Sequence, residues 1–379
     1  MPSLPDFRLE AHFSTWEFKA RHHLTASDAE SIDVAELLSW ADADDETAWR
    51  TLRLGYTETH GAPALRRAIA TTYDTLAAED ILCFAGAGEA IYVAMQVLLG
   101  PDDHALVAVP NYQSFEELPL RLCAVTGVAL RPEADWELDL DDVRAALRPN
   151  TRLIAVNFPH NPTGKVIAQD TWRGLIELAR ERGLYLLSDE VYRGLGRDPR
   201  RQLTQAADLY ERGISINVMS KAYGLPGLRI GWIAARDREL LGRFERYKHY
   251  TTICNSAPSE VLATIALKMR GRILARNRAI VVDNLALLER FFDERRDLFE
   301  WKAPEGGCVA YPRYLGAEGV ERFCRELVED AGVLLLPASI YTSNLLSTPT
   351  DRFRIGFGRR AVPAGIEALN AFLDGRDRA

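Results

Sequence analysis

Lysine is scarce in this chain: of 46 lysine and arginine residues among 379, only six are lysine, namely Lys19, Lys165, Lys221, Lys248, Lys268 and Lys302. Other shortages exclude whole classes of protein. The five cysteines, Cys83, Cys123, Cys254, Cys308 and Cys324, are odd in number and form no C-x-x-C pair. That argues against a disulfide framework or a zinc site and for plain thiols in a reducing compartment. No run approaches the roughly 18 apolar residues of a membrane span, and the start MPSLPDFRLEAHFSTWEF carries no basic-then-apolar leader, so the cytoplasm is expected and no membrane partner. Positive charge is short overall: a formal net charge of −8 leaves no broad basic surface for nucleic acid, although local anion sites stay open. The dinucleotide fingerprint G-x-G-x-x-G is missing, as are internal repeats and low-complexity tracts.

What is present is ordinary for a folded, soluble protein: 47% hydrophobic and 26% charged residues. A length of 379 residues suggests two domains at roughly 150 residues each. Between about residues 80 and 235, the apolar runs ILCFAG, ALVAVP, TRLIAVNFP, LYLLSDE, ISINVM and RIGWIAA alternate with helix-length segments such as DTWRGLIELARERG. Runs that are apolar on both faces predict an α/β fold, a mostly parallel sheet sandwiched by helices. Residues 258–292 read as one long helix, EGGCVAYPR as a glycine turn into a strand, and AGVLLLPAS and RFRIGFGR as further strands. These elements and the N-terminal forty or so residues predict a smaller α+β domain. The expected division is a large domain at 45–270 and a small domain of 1–44 with 271–379.

In open parallel sheets, ligands bind beyond the carboxyl ends of the strands. Polar residues follow five of the runs: Gly86-Ala87-Gly88-Glu89, Asn111-Tyr112, Asn157 with Asn161, Asp189 with Tyr192, and Ser220-Lys221. A lysine desolvated in a pocket has the lowered pKa that Schiff-base chemistry requires, whereas a lysine in a loop is otherwise a surface residue. Arg229, between apolar residues in GLRIGW, needs an anion; a phosphate, a carboxylate ligand or a structural acid would each serve. FAGAGEAIYVAMQVLLG reads as strand, small-residue turn and helix start, either a phosphate cradle of free N–H groups or simply a tight turn. Asp189 either caps the next helix or meets a cation, such as a pyridine nitrogen that it keeps protonated. NFPHNPTG either ends a strand rigidly or aims Asn161 at a ligand oxygen, and His160 within it reads as a loop residue.

In this order, NFPHNPTG, SDEVY and SKAYGLPGLRIGW resemble the aspartate aminotransferase superfamily, the class I/II aminotransferases of fold type I. GYTETHGAPALRRAIA is similar to that family's upstream element and RFRIGFGR to its carboxylate-binding strand, so the resemblance covers nearly the whole chain. It implies a seven-stranded sheet, pyridoxal 5′-phosphate as cofactor, and a homodimer with shared active sites. By the same resemblance, Lys221 would form an aldimine with the cofactor and then move a proton as general acid and base. Asp189 would pair with the pyridine nitrogen, and Asn161 and Tyr192 would hydrogen-bond the phenolic oxygen. Tyr112 would stack on the ring. Ala87, Gly88, Glu89, Ser220 and Arg229 would surround the phosphate, which Tyr56 of the neighbouring subunit would also reach; otherwise Tyr56 is a core residue. Arg354 would clamp the substrate carboxylate, with Asn161 and Ser27 beside it.

The expected activity is therefore transfer of an amino group from an L-amino acid to a 2-oxo acid. A pyridoxal-dependent lyase of the cystathionine β-lyase kind shares the same residues and stays open, with Thr163 in PHNPTG favouring the transaminase. A non-catalytic sensing module would need a basic DNA-binding segment before residue 45, where SIDVAELLSWADADDETAW is acidic and short. Two segments depart from the family pattern: HHLTASDAES, which contains Ser27, replaces a glycine-containing loop, and LLLPASIYTSN has Ala338 where Pro-Gly is frequent. Both border the substrate side-chain pocket in the family, so the substrate is not legible. His22, His23, Trp16 and Phe18 either line that pocket or form the packing surface of the N-terminal arm.

Overall fold

A computed structural model describes residues 4–376. Its central sheet has seven strands: β1 Ile81–Phe84, β2 His104–Val109, β3 Ala124–Ala129, β4 Thr151–Asn157, β5 Tyr185–Asp189, β6 Gly213–Val218 and β7 Gly231–Ala235. They lie in the order β1-β7-β6-β5-β4-β2-β3. Strands β2 to β6 pair in parallel, and β7 alone runs against its neighbours β6 and β1.

The apolar runs are continuous because both faces of the sheet are covered. Ala105, Val107 and Val109 of β2 and Leu153 and Ala155 of β4 pack with the helix Ala87–Leu98 on one face. Leu106, Ala108, Ile154 and Val156 pack with Trp172, Leu175 and Ile176 of the helix Gln169–Arg182 on the other. Side chains alternate across a strand, so each residue of such a run finds a core; a fully buried Leu, Ile or Val contributes about 1.5–3 kcal/mol.

Strand β3 has no such signature. It is the sheet's edge, its residues are mostly half-exposed, and AVTGVA mixes polar and small residues. The long helix expected at 258–292 is two helices, Ala257–Lys268 and Arg270–Glu294, broken at Met269, whose φ of −91° and ψ of 12° leave the helical region. Gly271, just past the break, is a weak helix former, and Lys268 is drawn aside by Asp42 and Asp45 at 3.0 and 2.7 Å.

The C-terminal part forms a small antiparallel sheet with Phe353–Gly356 between Val309–Ala310 and Leu336–Pro337. His22–His23 pairs in parallel with Val333–Leu334, tying the N-terminal arm to this part. Two glycines let the arm continue across it: a Cβ on Gly356 would sit 2.0 Å from the Ala26 carbonyl oxygen, and one on Gly358 would sit 2.3 Å from that of Asp28. Among the described residues no helix is long and apolar enough to cross a membrane.

Candidate active site

The parallel strands β2, β4, β5 and β6 deliver their carboxyl ends to one edge of the sheet. Because β7 runs the other way, its beginning lies at that same edge, and Arg229, two residues before β7, meets the turn that follows β1. A cavity of about 470 Å³ opens there. It is lined by Ala87, Gly88, Tyr112, Asn161, Asp189, Tyr192, Ser220, Lys221 and Arg229 from the large sheet's side, and by Ser27 and Arg354 from the small one. Tyr56, expected to reach the neighbouring subunit's site, is 91% exposed on the surface and so is not a core residue. One residue expected around the phosphate does not line the cavity. Glu89 is turned away: its carboxylate accepts from Ala85 N at 2.7 Å and from the hydroxyls of Thr251 and Thr252. Phe18, on the arm, is also exposed.

Lys221 follows β6 in a tight turn, and its Nζ donates to Ser27 Oγ at 2.7 Å. Desolvation lowers its pKa, opposed by the nearby Asp28 carboxylate, and Arg354 lowers it further. Asp189, at the end of β5, is pushed up to about 6 by burial, with the Val191 N–H and Lys221 acting in the opposite direction. A buried carboxylate with no bonded cation is costly to ionise and will hold one that arrives.

Arg354 is completely buried on the central strand of the small sheet. Its Nη1 donates to Asn161 Oδ1 at 3.1 Å and its Nη2 to the Thr25 carbonyl at 2.7 Å, while Nε has no partner among the described residues. Tyr341 also donates to Asn161 Oδ1, at 3.2 Å. Both donors meet the amide oxygen, so the Asn161 amide nitrogen is left to face elsewhere. Asn157 holds Asn161 in place, accepting from its backbone N–H at 2.8 Å while donating to the Asp189 carbonyl at 3.0 Å. Tyr192 is buried, and its hydroxyl meets no partner in good hydrogen-bond geometry among the described residues; burial raises its pKa well above the usual tyrosine value, opposed by Arg354 and by the nearby Ser27 hydroxyl.

At the other end of the cavity, the helix Ala87–Leu98 starts at Gly86 with no side-chain cap, so its first N–H groups and positive dipole end point into free space. Arg229 stands beside this turn, held among the described residues by the Pro226 and Ala85 carbonyls at 3.2 and 3.4 Å. A Cβ on Gly86 would lie 2.5 Å from Arg229 Nη2, so only glycine lets the guanidinium and the helix end share one pocket. A cation with no carboxylate partner among the described residues, beside an uncapped helix start, suits a phosphate.

These residues fit pyridoxal 5′-phosphate. The phosphate cradle, the partnerless Tyr192 hydroxyl and the cation-seeking Asp189 each match one polar group of that molecule. Thr25, Tyr341 and the Asp28–Arg359 pair, at 2.8 Å, complete the site and are not legible in the sequence. The arm bearing Thr25 and Asp28 reaches the cavity only through pairing with distant strands. His160, by contrast, is buried scaffold: Nε2 donates to the Pro110 carbonyl and Nδ1 accepts from Thr163, both at 2.8 Å.

Residues 29–362 match the family described as aminotransferase class I and II. Capreomycidine synthase from Streptomyces vinaceus is 31% identical over 335 residues, covering 84% of this chain and 82% of that enzyme. Among solved structures, a PLP-dependent aminotransferase from Streptococcus suis superposes with a TM-score of 0.91 at 30% identity, over 98% of both chains. The PLP-dependent cyclase OrfR superposes with a TM-score of 0.89 at 29% identity, over 100% of this chain and 99% of that one. The chain thus belongs to the class I and II aminotransferase family, with pyridoxal 5′-phosphate as its cofactor.

Proposed function

We propose that this protein is an aminotransferase that moves the amino group of an L-α-amino acid to a 2-oxo acid, with Lys221 as the acid and base. The observation that carries the reading is the convergence of Lys221, Asp189 and the buried, partly unsatisfied Arg354 on one cavity. Pyridoxal 5′-phosphate, when bound, supplies an electrophilic carbonyl and an electron-withdrawing ring. Arg229, Ser220 and the amides of Ala87 and Gly88 would hold its phosphate, and Asp189 would hold a proton on the ring nitrogen. Tyr112 would pack against the ring, while the Asn161 amide N–H and the Tyr192 hydroxyl would donate to the ring oxygen.

Arg354 binds the α-carboxylate through its free Nε–H and turns Cα toward Lys221. The lowered pKa of Lys221 keeps more of its amine neutral near pH 7, able to take the Cα proton, and Ser27 Oγ holds that amine when it is free. The cavity lies between the proposed domains, 45–270 and 1–44 with 271–379. A second copy would cover Leu54, Tyr56 and Tyr250, which are 87, 91 and 90% exposed, since apolar exposure on this scale marks an interface. The five free thiols suit the cytoplasm.

A second reading, cyclisation or elimination on the substrate side chain, is favoured by the similarity to capreomycidine synthase and OrfR. Turnover with and without an acceptor separates the two. An aminotransferase releases the 2-oxo acid of its donor catalytically only when a second 2-oxo acid is supplied. Sustained product formation without an acceptor would establish the second reading instead.

A further inference from the structure

The cofactor cavity is lined by four cations, Lys221, Arg229, Arg354 and Arg359, and four carboxylates, Asp28, Asp189, Glu10 and Glu17. Most of them are spoken for. Arg359 forms a two-pronged pair with Asp28 at 3.1 and 2.8 Å. On the reading proposed above, on which this inference rests, Arg229 takes the phosphate, Asp189 the ring nitrogen, Arg354 the substrate carboxylate, and Lys221 reacts. Glu10 and Glu17 remain.

Neither forms an ion pair or a side-chain hydrogen bond among the described residues, and both come from the N-terminal arm: Glu10 from the helix Arg8–Trp16 and Glu17 from its C-cap. Leu9 and Phe13 of the same helix line the cavity with them, and Phe7 packs its ring 5.1 Å from that of Tyr112. Glu10 is close enough to Tyr112 to act on its hydroxyl, and Glu17 to act on Arg359. The mouth of the site is therefore an apolar wall ending in two carboxylates that form no ion pair among the described residues.

An acidic rim alone would carry little. Here a second observation points to a ligand in the same cavity: Arg354, fully buried, keeps Nε unpartnered, and so does the Tyr192 hydroxyl at 2% exposure. A ligand anchored by its carboxylate at Arg354 has its side chain left to meet the rest of the lining.

We infer that Glu10 and Glu17 form a subsite for a cationic group, so that the substrate is an α-amino acid whose side chain has an apolar stem and a terminal guanidinium or ammonium. A dicarboxylic amino acid is disfavoured by the same count. Its second carboxylate would find every lining cation engaged and two like charges at the mouth, an arrangement that selects by repulsion as well as attraction.

The test titrates the holoenzyme with L-arginine, L-norleucine and L-aspartate and reads Kd from the cofactor absorbance and independently from calorimetry. L-Arginine should bind more tightly than L-norleucine by roughly tenfold, as expected for two partly exposed ion pairs, and L-aspartate should bind weakest. Replacing Glu10→Gln and Glu17→Gln together should collapse the arginine-to-norleucine ratio toward one, and Glu10→Lys, at an exposed helical position, should move the preference toward L-aspartate. Equal binding of L-norleucine and L-arginine, or tighter binding of L-aspartate, would overturn the subsite and leave the amino-acid reading standing. If none of the three changes the absorbance or releases heat, the amino-acid reading falls and takes the subsite with it.

Discussion

Gly86 offers the sharpest test of the phosphate cradle, because its neighbour Gly88 serves as a control on the same turn. Gly86 has φ 101° and ψ 168°, a region essentially closed to residues with a Cβ. Its substitution by alanine would place that atom 2.5 Å from Nη2 and 3.2 Å from Cζ of Arg229. Backbone strain costs about 1–3 kcal/mol, and displacing Arg229 from its carbonyl contacts adds about 1 kcal/mol. With roughly 2.1 cal/mol/K of unfolding entropy per residue, 379 residues convert 2–4 kcal/mol into a fall in Tm of about 2–5 °C. The larger effect is on cofactor binding. Losing one charge-assisted contact of about 1.5–3 kcal/mol weakens affinity roughly 10- to 150-fold. Gly88, where a Cβ meets nothing within 4 Å, should accept alanine with no loss of stability and, at an early helical position, a gain of about 0.4–1 kcal/mol. Apoprotein titrated with pyridoxal 5′-phosphate and followed by absorbance, together with calorimetric melting, reads both quantities. If Gly86→Ala binds the cofactor as tightly as wild type, Arg229 is not a phosphate ligand and the cradle is misread.

Two further outcomes follow from the scaffold. Burial lowers the His160 imidazole to about 4, so it is neutral in the fold; its contribution is complete above its unfolded value of about 6.5 and is lost as pH falls from there to 4, roughly 3 kcal/mol at pH 4. Denaturant unfolding of wild type and His160→Asn between pH 7 and 4 should give a stability difference that shrinks with acid, and a constant difference would refute the assignment. Leu54→Asp should shift sedimentation of the protein from dimer toward monomer, and a monomeric wild type would remove the proposed interface.

Much of the fold and of the cavity lining is legible in the sequence because the large sheet is buried on both faces. Six of its strands announce themselves as uninterrupted apolar runs, and polar residues after such runs mark a ligand edge. The half-exposed strand β3 lacks that pattern. The direction of β7 is also hidden, since antiparallel and parallel strands look alike as residue runs, yet its reversal is what carries Arg229 to the cradle. Glu89 lies in the right turn for a cofactor contact. At the third position of a helix, however, a glutamate tends to reach back to the preceding N–H groups, as this one does to Ala85. The contributions of Ser27, Asp28, Glu10 and Glu17 depend on the arm crossing Gly356 and Gly358, a long-range contact with no local signature.

Two lysines show how satisfaction of buried groups separates scaffold from site. Lys248 is fully buried, and its three N–H donors find the Thr59 carbonyl at 2.6 Å, the Cys83 carbonyl at 2.7 Å and Asn255 Oδ1 at 2.8 Å. Three acceptors account for all the hydrogen-bonding capacity of an ammonium, so nothing further is asked of it. Lys221 makes one such bond, to a hydroxyl, in a cavity whose other walls carry an unpaired guanidinium nitrogen and an unpaired phenol. Leaving a buried polar group unmatched costs about 1–3 kcal/mol, and a ligand that supplies the missing partner removes that cost on binding. Sequence context singles out Lys221 and passes over Lys248 in ERYKHY, although both are desolvated enough for their pKa values to fall. A lowered lysine pKa therefore does not by itself set Lys221 apart. What distinguishes Lys221 is that its own amine makes a single hydrogen bond among the described residues and faces a cavity shared with Asp189, Tyr192 and Arg354, residues from distant parts of the chain that only the fold brings together.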